Sequence, residues 1–245
     1  MQDWVKISVF TGRASRRDLR RMKGFRNLRL WLDPVKRPGP EAMAVDEWLL
    51  ETAELPVLRV YGWLGDWGSV GYFGGITKAQ TSFPGLDIVR RWTGGGTVDH
   101  RVDWTYSVVV PTTEKLAGRR GAESYRVMHA ALAEALTHEG GAVRLSLGNE
   151  ETGAALCFEN PVGYDLVDVD GQKIAGAGQR RTRRGLLHQG SVAGACDLEI
   201  SQTRARRLAE CLAVEWETRD FSPPSEVISS MVRARYGVPS WSARR

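Results

Sequence analysis

Between residues 41 and 50, Ala42, Val45 and Leu49 recur at helical spacing with acids in the early turns and Pro56 beyond them. This predicts an amphipathic helix behind the proline-rich loop 33–40. Residues 56–61, 68–73 and 87–92 are short β-branched or aromatic-rich runs bounded by turn residues, and read as strands. From 103 to 110, Trp104, Tyr106, Val108 and Val110 alternate with Thr105, Ser107 and Val109 up to Pro111, a strand with one face buried more deeply than the other. Ser124 is placed to cap a helix whose face carries Tyr125, Met128, Leu132 and Ala135, and which Gly140 and Gly141 end. Short strands follow at 142–147, 164–169 and 172–175, the last two joined by a hairpin turn at Asp170-Gly171, with one more at 188–193. Residues 201–216, with Ala205, Leu208 and Leu212 on one side, and 225–236, closed by Gly237 and Pro239, predict two C-terminal helices. Hairpins outnumber βαβ steps, so the expected fold class is α+β around a mixed, mostly antiparallel central sheet packed by helices.

Of the 245 residues, 42% are apolar and 26% charged, which excludes a disordered chain and allows a real core. The formal net charge of +5 is unevenly placed: residues 1–40 hold eleven Lys or Arg against three Asp or Glu, so the remainder is slightly acidic. Residues 1–24 therefore read as a basic extension, solvated or disordered, and the body carries no charge bias toward nucleic acid. Cys157, Cys196 and Cys211 form no CxxC pair and indicate neither a disulfide framework nor a zinc site. The N-terminus lacks the order of a signal peptide and no run approaches the ~20 apolar residues of a spanning helix, which predicts a cytoplasmic protein.

Three segments carry candidate chemistry. Arg90-Arg91-Trp92-Thr93-Gly94-Gly95-Gly96-Thr97-Val98-Asp99-His100 sets three glycines behind a strand. Without Cβ atoms, their N–H groups can wrap an anionic or acyl group, and the run is neither a Walker A loop nor GxGxxG. Lys173 stands just past the hairpin turn and is followed by Ile174-Ala175-Gly176-Ala177-Gly178, where a lysine can reach over exposed backbone to a carbonyl or phosphate. Cys157, in Cys157-Phe158-Glu159-Asn160-Pro161, is an acyl acceptor if a cation lowers its pKa from ~8.5, and otherwise a small buried hydrophobe; Cys196 and Cys211 are read as the latter. His188 opens a strand in His188-Gln189-Gly190-Ser191 and is placed to reach a pocket edge. His129 and His138 have no carboxylate pattern beside them and receive no role.

In this order, and together with Ala42-Met43-Ala44-Val45-Asp46-Glu47-Trp48, Ser69-Val70-Gly71-Tyr72-Phe73 and Gly185-Leu186-Leu187-His188, these pieces resemble the lipoate branch of the biotin/lipoate A/B protein ligase family. That branch is the catalytic domain shared by lipoate-protein ligases and octanoyltransferases, and the resemblance spans residues 28–236. The biotin branch carries a Gly-Arg-Gly-Arg-type loop where this chain has Trp92-Thr93-Gly94-Gly95-Gly96. The resemblance implies a mixed sheet packed by helices, one catalytic domain over residues 25–245 and no C-terminal accessory domain. It also implies transfer of an octanoyl or lipoyl group onto the lysine of a lipoyl domain, in a 2-oxoacid dehydrogenase or the glycine-cleavage H protein. Carried over position by position, Arg91, Thr93, Gly94, Gly95, Gly96 and Thr97 line the acyl pocket and its carbonyl or adenylate end, with His100 flanking. Lys173 contacts the acyl carbonyl or phosphate, Gly176 and Ala177 leave room for the chain, and His188 and Gly190 border the pocket. No metal ligands are carried over.

Two chemistries share this family. A transferase takes octanoyl from acyl carrier protein through a cysteine thioester and needs no cofactor; Cys157 in its Cys-Phe-x-x-Pro setting resembles that nucleophile and favours this route. A ligase activates free lipoate with ATP and Mg²⁺ and needs no cysteine. A non-catalytic binder using the basic N-terminus is the third expectation. Gly178 departs from the family pattern, standing where Ala or Ser is usual.

Overall fold

The computed structural model describes residues 23–148 and 162–244; residues 1–22 and Cys157 lie outside the described residues. Eight strands form the main sheet in the order β11 (Ala213–Thr218), β1 (Phe25–Leu32), β2 (Val57–Tyr61), β6 (Asp103–Pro111), β10 (Gly185–Ala193), β9 (Lys173–Thr182), β8 (Leu166–Val167) and β7 (Arg144–Leu145). β1 pairs in parallel with both β2 and β11, and the other pairings are antiparallel. A smaller sheet, β4 (Asp87–Arg90), β3 (Trp67–Val70) and β5 (Thr97–Asp99), carries the strands that flank the three-glycine run. The mixed, mostly antiparallel α+β architecture expected from the hairpins is the one observed.

Helices cover both faces of the main sheet. On one side lie α3 (Gly121–Thr137) and α4 (Leu198–Leu212), whose Met128, Leu132, Ala205 and Leu208 join Leu28, Val108 and Leu186 in a core. On the other lie α1 (Gly39–Thr52) and α5 (Ser225–Met231), packed on Trp31, Val109 and Leu187. Two short helices, α2 (Ile76–Ser82) and α6 (Pro239–Ser242), a 3₁₀ turn at Lys115–Gly118 and a π-helical segment at Val232–Tyr236 complete the described elements. α1 is buried nearly all round rather than on one face, because α5 covers the side away from the sheet; a helix enclosed on two sides has little surface left for a polar stripe. Among the described residues, no helix is long and apolar enough to cross a membrane.

Several expectations shift. Ser124 is not a cap but sits inside α3, where its hydroxyl lies 2.9 Å from Gln179 Oε1. The helix expected over 201–216 starts earlier, because Asp197 accepts the Ile200 N–H at 2.8 Å, and stops at Leu212. Residues 213–218 instead pair in parallel with β1, Trp216 opposite Leu28, a non-local contact that helical spacing does not reveal. Lys23, counted with the N-terminal extension, is held by the fold, donating to the carbonyls of Glu210 at 2.6 Å and Ala213 at 3.0 Å.

Candidate active site

The strand 103–111 is central, and both its faces are buried. Its polar residues Thr105 and Ser107 therefore do not meet solvent. They lie in two rows that cross four strands: Tyr61, Thr105, Ser191 and Gly176 in one, Arg59, Ser107, Gln189 and Gly178 in the next. Above the first row opens a slot lined mainly by apolar atoms, with Met43, Trp63, Val98 and His100 among its walls and Gly176, Ala177 and Gly178 along one edge. Strands spaced 4.7–4.9 Å apart make this four-strand floor about 14 Å wide.

Lys173 stands at the Gly176 end. A Cβ on Gly176 would lie 2.6 Å from Lys173 Nζ, so only glycine lets the ammonium fold over the strand here. Nζ pairs with Asp165 Oδ2 at 2.6 Å, and both side chains are almost wholly withdrawn from water. The same carboxylate accepts the Val162 N–H at 2.9 Å and the Tyr125 hydroxyl, and Tyr125 Oη accepts the Ala177 N–H at 2.9 Å. Tyr164, just before Asp165, has φ of 70°, a left-handed conformation that costs about 1–3 kcal/mol for a bulky residue. Its carbonyl accepts from His129 Nδ1 at 2.7 Å, which helps hold that turn.

The three-glycine run abuts β9 on the opposite side of the slot edge. A Cβ on Gly178 would stand 2.3 Å from Gly94 O and 2.9 Å from Thr93 Oγ1, so the loop and the strand touch backbone to backbone. The loop's shape is held by Arg91, which donates to Gly94 O at 2.9 Å, Gly96 O at 2.8 Å and Ser69 Oγ at 2.9 Å. Ser69 Oγ in turn lies 2.8 Å from His100 Nε2, and His100 Nδ1 lies 2.7 Å from Asp103 Oδ2. Trp63 stacks on the imidazole with ring centroids 4.1 Å apart and donates its indole N–H to Thr105 at 2.9 Å. This end wall is thus closed by groups that satisfy one another.

A buried polar chain ties the slot to α1. Asp46 Oδ1 pairs with Arg59 at 2.7 Å and accepts from Ser107 at 2.8 Å, while Oδ2 accepts from Gln189 Nε2 at 2.7 Å. Gln189 Oε1 then accepts the Thr93 hydroxyl at 2.8 Å. Burial pulls the Arg59 guanidinium down, but Asp46, Tyr61 and Asp33 outweigh it and raise its pKa. Arg90, by contrast, donates to six backbone carbonyls, among them Gly71, Gly74, Ser242 and Arg244, and so fastens the C-terminal residues beside the loop.

Of the residues singled out in the sequence, Arg91, His100, Gly176, Ala177 and Gly190 line the slot. Thr93, Gly94 and Gly95 abut its edge, Gly96 is held by Arg91 behind it, and Thr97 pairs with Val70 in β5. His188 does not border the slot. Strand alternation puts it on the opposite face from Gln189, between Tyr106 and Gln179, at 3.2 Å and 3.1 Å. There burial holds its pKa well below the usual value and pushes that of His129 down to about 4. Asp165, Tyr125, Gln189, Asp46, Ser69 and Asp103 belong to the site and carried no local signal; only their register and packing reveal them. Among the described residues no group of three or more His, Cys, Asp or Glu is placed to hold a metal ion.

Residues 38–233 match the model of the lipoyl protein ligase A/B catalytic domain. The chain is 33% identical over 230 residues to octanoyltransferase LipM of Symbiobacterium thermophilum, covering 87% of this chain and 81% of that protein. It is 33% identical to LipM of Geobacillus kaustophilus over 69% of this chain and 66% of the relative, and 32% identical to LipM of Staphylococcus aureus over 64% and 62%. In fold it is similar to the bipartite lipoate protein ligase of Thermoplasma acidophilum, with TM-score 0.67 and 18% identity over 90% of this chain and 98% of that one.

Proposed function

The chain belongs to the lipoyl protein ligase A/B catalytic-domain family, a family of acyl-transferring enzymes, and from that premise we propose that it moves an octanoyl group from acyl carrier protein onto the lysine of a lipoyl domain. The observation that carries this reading is the slot. An eight-carbon chain of seven single bonds, each advancing roughly 1.2 Å, spans about 9 Å. Its length matches the floor of about 14 Å, with its carbonyl at the Gly176 end beside the Lys173–Asp165 pair. The relatives named octanoyltransferase support octanoyl as the group carried.

In this reading the Cys157 thiolate attacks the carbon of the incoming thioester, the carrier leaves as its thiolate, which takes a proton from water, and an acyl-enzyme thioester forms. The lysine amine of the lipoyl domain then attacks that carbonyl, an amide forms, and the cysteine thiolate is released and takes up the proton the amine loses. Lys173 donates to the oxygen that becomes negative in each tetrahedral intermediate, and Asp165 orients its ammonium. Support for Cys157 is its Cys-Phe-x-x-Pro setting and the position of its described flanks: Gly148 N donates to Ser146 Oγ at 3.1 Å, and Val162 N to Asp165. Arg91 and the loop 93–97 shape the slot's edge, and no cofactor takes part. Residues 25–245 are taken as the catalytic unit, and a lipoyl domain of a 2-oxoacid dehydrogenase or H protein as the acceptor.

The test is intact mass measurement of an apo lipoyl domain incubated with the protein and octanoyl acyl carrier protein alone, in parallel with free lipoate, ATP and Mg²⁺. An octanoyl adduct in the first tube that Cys157→Ser abolishes is the expected result. Modification in the second tube alone makes the protein an ATP-dependent ligase instead.

A further inference from the structure

On the face of the sheet away from the slot, a groove of about 880 Å³ runs between α3 and α4. Its floor is apolar, with Leu116, Val127 and Leu212, and Ala130 and Ala131 keep it deep because their side chains end at a methyl. Its rim is cationic: among the described residues that line it, Lys23, Lys115, Arg119, Arg126 and Arg207 stand against Glu134 and Glu210. Glu210 is already paired with Arg207 at 2.8 Å, and Arg119 lies 3.4 Å from Glu123. Arg181 extends the positive surface beyond the groove, its guanidinium 3.8 Å from where a Cβ on Gly121 would lie at the start of α3.

We propose that this groove docks an acidic amphipathic helix of the acyl carrier protein that delivers the thioester, an inference that rests on the transferase reading above. A trough with an apolar floor and a charged rim matches one helix laid along it, and the excess of cations selects an acidic one. The chain's own residues 1–22 carry six Lys or Arg against two Asp, the groove's own sign, and so are the poorer occupant. Position favours the donor over the acceptor. Arg126 on the rim directly follows Tyr125, whose hydroxyl touches Asp165. The groove's rim and the contact to the reactive end thus share helix α3. A carrier brings its thioester on a long flexible arm and so can dock at a distance from the reacting carbon, whereas a lipoyl-domain lysine reaches it only with its own side chain.

The experiment compares Lys115→Glu/Arg126→Glu, and the milder Lys115→Gln/Arg126→Gln, with the parent protein. Three substrates are titrated: octanoyl acyl carrier protein, octanoyl pantetheine as a thioester without the carrier, and the apo lipoyl domain. The expected result is a rise of about tenfold in KM for the carrier-bound donor at low salt, smaller in the Gln variant. kcat, the rate from octanoyl pantetheine and the KM for the lipoyl domain stay unchanged. The parent's KM for the carrier should climb with salt more steeply than the variant's. An unchanged carrier KM, an equal loss with octanoyl pantetheine, or a rise confined to the lipoyl domain each overturns the proposal. A parent protein that uses neither thioester removes the transferase reading, and the docking inference with it.

Discussion

Lys173 Nζ and Asp165 Oδ2 stand 2.6 Å apart at the Gly176 end of a four-strand floor, both side chains almost wholly withdrawn from water. The pair is not a surface ion bridge of negligible value, because the carboxylate is also fixed by the Val162 N–H and the Tyr125 hydroxyl, so its direction is set by three elements. The ammonium is consequently aimed before any substrate arrives, which is what a donor to a developing oxyanion requires.

Removing the ammonium leaves the Asp165 carboxylate buried without that cation. Lys173→Ala is expected to lower octanoyl transfer by about a hundredfold or more and to cost about 3–5 kcal/mol of stability. Asp165→Asn, which keeps the shape, should also cost rate, with a drop in melting temperature. Transfer followed by intact mass, with thermal unfolding of each variant, checks both, and a Lys173→Ala protein that transfers at the parent rate would refute the role given to this lysine.

Gly178 is held to glycine by a backbone contact. A methyl there would stand 2.3 Å from Gly94 O, a distance no Cβ adopts, and the atom it meets is backbone that cannot swing away. Gly178→Ala should therefore push the glycine loop from β9 and destabilise the fold by about 1–3 kcal/mol. The KM for the acyl donor should rise at the same time. A crystal structure of the variant with the loop in place and parent kinetics would contradict this.

The sequence carried the elements that local periodicity controls and lost those set by distant partners. α1, α3 and the Asp170-Gly171 hairpin were legible because apolar spacing and turn residues lie within a few positions of one another. β11 was not, since Ala213 and Trp216 extend the apolar spacing of α4 and only pairing with β1 turns them into a strand. The alternation of Thr105 and Ser107 is visible but points to a less buried face; under other elements Thr105 lines the slot and Ser107 binds Asp46 beneath α1. Arg91 and the glycines were legible as a loop that must approach something closely. His188 was misplaced because a pocket edge was read from its neighbours, while the pleat sends it to the other face with Tyr106. Asp165 lay beyond local reading altogether, as its meaning comes from Lys173 and Tyr125.

His129 and His188 give the fold an acid limit. Burial lowers the pKa of His129 to about 4 and that of His188 well below its usual value, so both are neutral in the folded protein, while the unfolded chain takes up protons as pH falls through about 6.5. The unfolded state then binds more protons, and stability must fall between pH 6.5 and pH 4 while remaining fully present above 6.5. For His129 alone the loss by pH 4 is on the order of 3 kcal/mol. His129→Phe should flatten the dependence of melting temperature on pH in that window. A parent protein whose melting temperature is level from pH 7 to pH 4 would show that these histidines do not control it.

Gln189 is the joint between α1 and the glycine loop, its amide N–H given to Asp46 and its amide oxygen taken by Thr93. Because the two contacts share one planar group, a shift of the loop is felt at Asp46, which Arg59 and Ser107 hold in place. Thr93→Val removes only the outer hydrogen bond and leaves the slot's volume almost unchanged, while Gln189→Leu removes both contacts and leaves Asp46 Oδ2 with the Tyr61 hydroxyl alone. The first should cost about 1 kcal/mol of stability and the second about 1–3 kcal/mol. Since Gln189→Leu already abolishes the bond that Thr93→Val deletes, the double variant should be less destabilised than the two single losses added together, by about 1 kcal/mol. The same cycle run on the KM for the octanoyl donor should show the same sign if the chain holds the loop for binding. Strict additivity in both measurements would mean that Gln189 and Thr93 act independently, and that the loop is positioned by Arg91 alone.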